Sequence, residues 1–434
     1  MRPFRITAFS LTLILGVIGN GGTEPVVLRG AQVPGLLGAS LAAIRLCDDR
    51  GMALPLQIDE VTAEDEYVCD RGEEANAGAG NGILDARDEI VFMYEDCPPY
   101  PAADRLWMAA DSSFRVAVRL GTGARCREAV FIVDSTMERC KRSYISYDHA
   151  TQHLSTPRYY AQFAADRFHF LKAGIAGTDP GGWIDLTGVL RIEIRLRALW
   201  GLLPVHYTED NLICYVKRYK AGPLRLIRRG DLHLRIGAGI RGSRAAVNQI
   251  CYSSMVSVPV SINLPVRFRH FFRDAWLEMT PVIAPAGKEY RFSVPGCGID
   301  RAIDGADTVD TLFPCMLNTH PFTLLNHGYG LGWVVQSDIP ETAGARSGFL
   351  FRRPSCRDGN ADCGYRLMIQ DIPRGRYTVV NRVVFTRIDH PVIADEFKAL
   401  HTPLTVICGT ERSVNSLTDD IPSGRDRRKA DENP

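Results

Sequence analysis

The sequence predicts an all-β protein built as two β-sandwich-like domains with few short helices. Three observations carry that reading. Apolar residues recur with a period of two, as in Arg191-Ile192-Glu193-Ile194-Arg195-Leu196-Arg197, Phe114-Arg115-Val116-Ala117-Val118 and Leu232-His233-Leu234-Arg235-Ile236. That is the alternation of strands with one buried and one wet face. Turn-forming clusters such as Gly121-Thr122-Gly123, Ala221-Gly222-Pro223 and Asp358-Gly359-Asn360 punctuate the runs. Stretches of helical period are few, the best being IADEFKAL at residues 393–400, after Pro391. Many short strands between turns point to sandwich architecture.

At 434 residues the chain has room for two or three domains with full-sized cores. Residues 1–22 begin MRPFR and continue ITAFSLTLILGVIG, a basic start before an apolar run of about fourteen residues, the pattern of a secretory signal. Such a run is too short to span a bilayer comfortably. Export to the periplasm or the extracellular space is therefore expected, with no transmembrane segment once the signal is removed.

Residues 23–140 are expected to form a smaller acidic domain. Within residues 48–96, fifteen acidic and three basic residues give a net charge of −12. Residues 141–157, KRSYISYDHATQHLSTP, are polar, lack alternation and end in proline, as a linker would. Residues 158–409 follow as a larger basic domain, in which residues 158–270 hold seventeen basic and seven acidic side chains, a net of +10. The two charged regions either face each other or each meets a partner of opposite sign. Residues 410–434 are polar, with almost nothing to bury, and are expected to be a disordered tail.

Twelve cysteines in an exported chain predict disulfides. The neighbours in turn-like contexts are Cys69 and Cys97, Cys126 and Cys140, Cys297 and Cys315, and Cys356 and Cys363. Cys214, Cys251 and Cys408 lie in apolar runs and read as buried thiols. No C-x-x-C spacing occurs, so structural zinc and thioredoxin-like chemistry are not expected.

The sequence YVKRYKAGPLRLIRR at residues 215–229 reads as a hairpin about Ala221-Gly222-Pro223. It carries six cations, Lys217, Arg218, Lys220, Arg225, Arg228 and Arg229. Alternation puts Arg218 and Lys220 on one face and Lys217 on the other. With Tyr215 and Tyr219 beside them, these cations suit an anionic glycan, a headgroup or a phosphate. A solvated face, or one paired with the acidic region, is the bland alternative. Nucleic acid is not an expected partner, because no recognisable binding motif is present.

Tyr144, Tyr147, Asp148, His149, His153, Tyr159 and Tyr160 cluster in and beside the expected linker. They are the residue types a polysaccharide lyase uses as a base beside a cation. His320, His327, Tyr329 and Trp333 form a second group, with aromatic rings suited to stacking on sugars. No G-x-S-x-G, H-E-x-x-H or phosphate-binding glycine loop occurs.

The loop NAGAGNGILDARDE at residues 76–89 resembles a degenerate calcium loop of the EF-hand and dockerin type. Asn81, Asp85, Asp88 and Glu89 would supply oxygens and Gly82 the turn, while Ala77 and Ala79 stand at the first and third ligand positions. Calcium is thus the single candidate cofactor. The same stretch, through Gln57, Asp59, Glu60, Asp88, Glu89, Ile90, Val91 and Phe92, resembles the N-terminal segment of exported bacterial β-sandwich proteins of unknown function. Some of those sit in polysaccharide-degradation settings, and they carry aspartates where this loop has alanines. The resemblance covers about residues 25–96. It implies a secreted sandwich in a carbohydrate context and assigns no catalytic residue. The expectation is an exported, non-catalytic protein that binds an anionic carbohydrate or a cell-envelope component. A polysaccharide lyase or glycoside hydrolase is the first alternative, and a structural part of an envelope assembly the second.

Overall fold

Alternating runs become strands throughout, because only a pleated sheet buries every second side chain while satisfying the backbone between them. The computed structural model describes residues 25–48, 50–99, 115–120, 127–165, 169–176, 183–235, 241–264, 267–270, 272–283, 290–294, 299–303, 311–315, 322–326, 329–340, 346–352, 361–369, 371–387 and 406–409. The expected signal, the expected tail and the helix expected at residues 393–400 lie outside them. Among the described residues the helical elements are three-residue 3-10 turns, and the strands form four antiparallel sheets of ten, nine, five and three strands. No helix among them is long and apolar enough to cross a membrane. The all-β expectation holds.

The two large sheets pack face to face. The ten-stranded sheet runs from Thr311–Cys315 through Ala361–Ile369, Phe272–Ile283 and Trp183–Ala198 to Tyr159–Phe163. Residues 141–157, expected as a linker, supply instead its last two strands, Ser146–Asp148 and His153–Ser155. Their polar sequence reflects an edge position, where one face and one row of backbone groups meet water. The nine-stranded sheet begins with Leu212–Ala221, Arg225–Arg235, Arg241–Tyr252 and Met255–Leu264. Leu154, Tyr159, Phe163, Ile175 and Ile192 from one sheet meet Leu226, Cys251, Val256, Trp333 and Phe385 from the other. Each such fully buried aliphatic or aromatic side chain contributes about 1.5–3 kcal/mol.

A second core lies on the far side of the nine-stranded sheet. The three-stranded sheet, Pro25–Arg29, Glu89–Met93 and Gln57–Asp59, and the five-stranded sheet around Ile44–Cys47 and Arg127–Val133 supply Leu28, Ile44, Ile90, Phe92 and Phe131. The nine-stranded sheet answers with Ile227, Ile250 and Tyr252. Leu226 and Ile227 are adjacent in sequence and enter different cores, as the twofold period of a strand dictates. The hairpin expected to be a cationic surface is therefore the wall between two hydrophobic layers. The strand Val406–Gly409 returns to pair with Arg115–Leu120 in the five-stranded sheet, so the last described strand joins a sheet built from the first part of the chain.

Candidate functional site

The acidic segment and the basic hairpin meet on the outer face of the nine-stranded sheet. Arg225 has no exposed surface. Its Nε donates to Asp59 Oδ2 at 2.7 Å and one terminal nitrogen donates to Glu89 Oε2 at 2.7 Å. The other donates to the Tyr252 hydroxyl at 3.1 Å, and the ring of Tyr67 lies 5.3 Å from the guanidinium carbon. Lys220 adds a second cation to Asp59, Nζ to Oδ1 2.8 Å. Burial alone would raise the Asp59 carboxyl, but the charges of Arg225 and Lys220 and the hydrogen bonds from Lys220 and Gln57 hold it below its ordinary value. Burial holds the Tyr67 and Tyr252 phenols above theirs.

The turn is locked by Gln57, whose Oε1 accepts the amides of Leu224 and Arg225, each at 3.0 Å. A β-carbon on Gly222 would stand 2.1 Å from that oxygen, so a side chain there would displace the amide that locks the turn. Arg218 and Arg229 both reach Glu66. Lys217, expected on the opposite face, instead meets Glu74 at 3.2 Å, because the register slips between Val216 and Arg218 and a bulge re-aims the side chain. Arg228 alone turns inward, 3.9 Å from the Phe163 ring centroid and bonded to Gln152 and Gln249. All six cations thus have partners within the molecule. A cleft of about 230 Å³ opens beside the turn, lined by Arg45, Arg139, Lys220, Cys140 and Pro223. It is below the size usual for organic ligands, roughly 300–1,000 Å³. Its cations are also engaged, Arg45 with the Met137 carbonyl and Arg139 with that of Leu41.

The calcium-like loop spends its oxygens on its own backbone. Asp88, which burial raises, accepts the amides of Val61 at 2.8 Å and Asp85 at 2.9 Å. Asn81 accepts from Ile83 and Asp85 from Arg87, while Glu89 holds Tyr67 and Arg225. Among the described residues no three His, Cys, Asp or Glu side chains converge as a metal site.

The disulfide expectation needs correction at Cys69 and Cys97, which are both free and buried. They pack in the second core, where burial pushes the Cys69 thiol up to about 11 and the Cys97 thiol higher still. Cys140 is free and half-buried. Cys214 and Cys251 are buried thiols as expected. Cys126, Cys297 and Cys356 lie outside the described residues. Cys315 and Cys363 lie on strands, opposite Ser347 and Phe351 respectively.

The tyrosine and histidine cluster divides by strand face. Tyr159 enters the main core and stacks on Phe385 with centroids 4.2 Å apart. Tyr144 donates to Asp96 at 2.7 Å, and His149 stacks on Tyr219 at 4.5 Å. His320 and His327 lie outside the described residues, and Trp333 is a core residue.

Tyr160 turns away from the main core but is only 7% exposed, covered by its neighbours. It is in register with Gly174, which is in register with Asp185 on the next strand. With no side chain at Gly174 in the way, the phenol crosses that strand and donates to the Asp185 carboxylate. Trp183, 42% exposed, stands edge-on to Tyr160 at 5.2 Å. His153 stacks on its other side at 5.9 Å. Lys172 pairs with Asp185 at 2.7 Å and lies 5.9 Å from the Tyr160 ring centroid. Gln162, exposed, lies in register between Lys172 and His153. The result is a wet sheet face with an open indole ring and a border of hydrogen-bonding groups. Burial and the bond to Asp185 hold the Tyr160 phenol well above its ordinary value.

Sequence reading brought out Tyr160 and His153 but missed Trp183, Lys172 and Asp185, which join them only through strand pairing. An aromatic residue on the wet face of an alternating run was the available signal.

No family model matches the chain, and no curated protein does. Among solved structures the chain is similar to an alpha-mannosidase from Enterococcus faecalis V583, at 10% identity and a TM-score of 0.48, over 91% of this chain and 45% of that one. It is also similar to a protein in the glycosyl hydrolase family 38 from Enterococcus faecalis, at 10% identity and a TM-score of 0.46, over 91% of this chain and 46% of that one. The chain spans under half the length of both. Likeness at this level concerns backbone shape and not chemistry.

Proposed function

We propose that this protein is an exported, non-catalytic carbohydrate-binding sandwich, and that the ligand stacks on Trp183. The observation that carries the reading is the exposed indole braced edge-on by Tyr160, beside the Lys172–Asp185 pair and Gln162. Sugar rings offer an apolar C–H face and a rim of hydroxyls, and this surface offers a flat ring with donors and acceptors around it. The half-exposed Lys172–Asp185 pair offers a donor and an acceptor to sugar hydroxyls. The six cations of the basic hairpin support no ligand role, because each already has a partner inside the molecule. The apolar run after the basic N-terminus supports export.

Titrating the protein with neutral and uronate polysaccharides tests the reading. At least one should bind, and Trp183→Ala should weaken it by about 2 kcal/mol, the size of an interface hot spot, or roughly thirtyfold in Kd. Equal binding by the variant, or silence across the panel, would reject Trp183 as the platform. Unsaturated sugar products absorbing in the ultraviolet would replace binding with lyase chemistry.

A further inference from the structure

The longest described strand, Trp183–Ala198, and its partner Leu203–Thr208 form a hairpin whose tip runs Ala198-Leu199-Trp200-Gly201-Leu202-Leu203. Polar and turn-forming residues normally occupy such a tip. Here Leu199 is 50% exposed, Trp200 61%, Leu202 82% and Leu203 50%. The backbone holds them there at a cost. Leu199 and Trp200 have φ of 48° and 59°, followed by Gly201 at 96°. Bulky side chains rarely adopt the left-handed region, and residues that do concentrate at functional sites. The side chains face outward, so packing within the protein does not repay that strain.

The base of the tip is cationic. Residues 195–206 contain two arginines and no carboxylate, and residues 267–273 three arginines and no carboxylate. Arg197 and Arg273 are paired in register on adjacent strands, where like charges repel. Their nearest balance is Asp274 in the adjoining bulge, 3.8 Å from Arg197 with both groups exposed. The Arg273 side chain extends toward the tip, its Cδ 3.4 Å from where a β-carbon of Gly201 would stand. Phe272, opposite Ala198, packs with Phe268 at 5.1 Å. Arg267 and Arg269 flank Phe268 and share Asp371. Further from the tip, on the strand that carries Arg197, Glu193 pairs with Arg195 and meets the His206 ring at 2.6 Å.

We propose that this tip docks on an anionic lipid bilayer. Three leucines and a tryptophan within five residues are at least half exposed at the hairpin end, a concentration of apolar surface that suits a fluid apolar phase. Tryptophan is favoured at the depth of lipid headgroups, and arginines behind the apolar residues would meet lipid phosphates. The tip is separate from the Trp183 face, and the two surfaces are testable apart.

Flotation of the full-length chain with phosphatidylglycerol–phosphatidylcholine vesicles, and with phosphatidylcholine alone, tests this. The protein should float with the anionic vesicles, less so at high salt, and remain behind with phosphatidylcholine. The double variant Trp200→Ser, Leu202→Ser should reduce the bound fraction at least about tenfold. Arg197→Glu with Arg273→Glu should do the same on anionic vesicles. Both should keep the wild-type melting curve, and Trp183→Ala should float normally. Failure of the wild type to float at low salt, or equal flotation of the serine variant, would overturn the proposal. So would self-association abolished by Leu202→Ser without any flotation, which would make a second copy the occupant.

Discussion

Two arginine-bearing hairpins of this molecule end in opposite circumstances. At the turn between Leu212–Ala221 and Arg225–Arg235 every cation has a partner, and Arg225 is sealed between Asp59, Glu89 and two tyrosines. At the tip following Trp183–Ala198, arginines face arginines across the register and four large apolar side chains stand in water. The first hairpin is covered by another part of the same chain, while the second leaves its apolar tip exposed. A charge run and an apolar run are therefore not sites in themselves. What decides is whether the fold supplies their complement.

Breaking the first hairpin should have the largest effect. Arg225→Ala leaves Asp59 buried with Lys220 as its remaining cation and Glu89 without its guanidinium. It should cost about 3–5 kcal/mol in denaturant unfolding, as removing one member of a buried pair does. A cost under about 1 kcal/mol, the range of surface pairs, would show that water reaches this junction.

Acid should act on the same contact with a defined sign. The carboxyl of Asp59 titrates lower in the folded protein than its ordinary value of 3.8. Its contribution is therefore complete above that ordinary value and is lost as pH falls through the depressed folded value. The melting temperature of the wild type should drop in that acid window, while Asp59→Asn should lose this component of the drop. Parallel pH profiles for the two proteins would show that other carboxylates dominate acid unfolding.

The smallest effect sharpens the comparison. Glu66, about a third exposed, bridges Arg218 and Arg229 at the rim of the junction. Solvent screening there limits Glu66→Ala to roughly 0.5–1 kcal/mol in the same unfolding measurement. A loss as large as that of Arg225→Ala would extend the sealed region out to the rim.

Much of the architecture was legible along the chain. The alternation of residues 191–197 lies within the strand Trp183–Ala198, and the opposite charges of residues 48–96 and 158–270 raised the pairing that Asp59, Glu66 and Arg225 make. The destinations of individual side chains were not legible. Lys217 sits at a bulge where the register with the neighbouring strand slips. Arg228 turns inward because position 228 lies one step of the pleat from Arg229, which meets Glu66. Cys69 and Cys97, neighbours in turn-like sequence, take separate places in one core. Of the residues expected to bind calcium, Asp88 accepts the amides of Val61 and Asp85, and Glu89 meets Tyr67 and Arg225, partners that sequence cannot place.

By itself the sequence determined the pleated character of the molecule, the alternation of its faces and the sign of charge each segment carries. These follow from nearest-neighbour spacing and composition, which are local. The tertiary structure alone decided which faces were covered, which cations were neutralised, and that Tyr160, Asp185 and Trp183 share one wet surface. Strand pairing joins residues far apart in the chain, and the free energy of a buried charge or an exposed ring depends on what is brought against it.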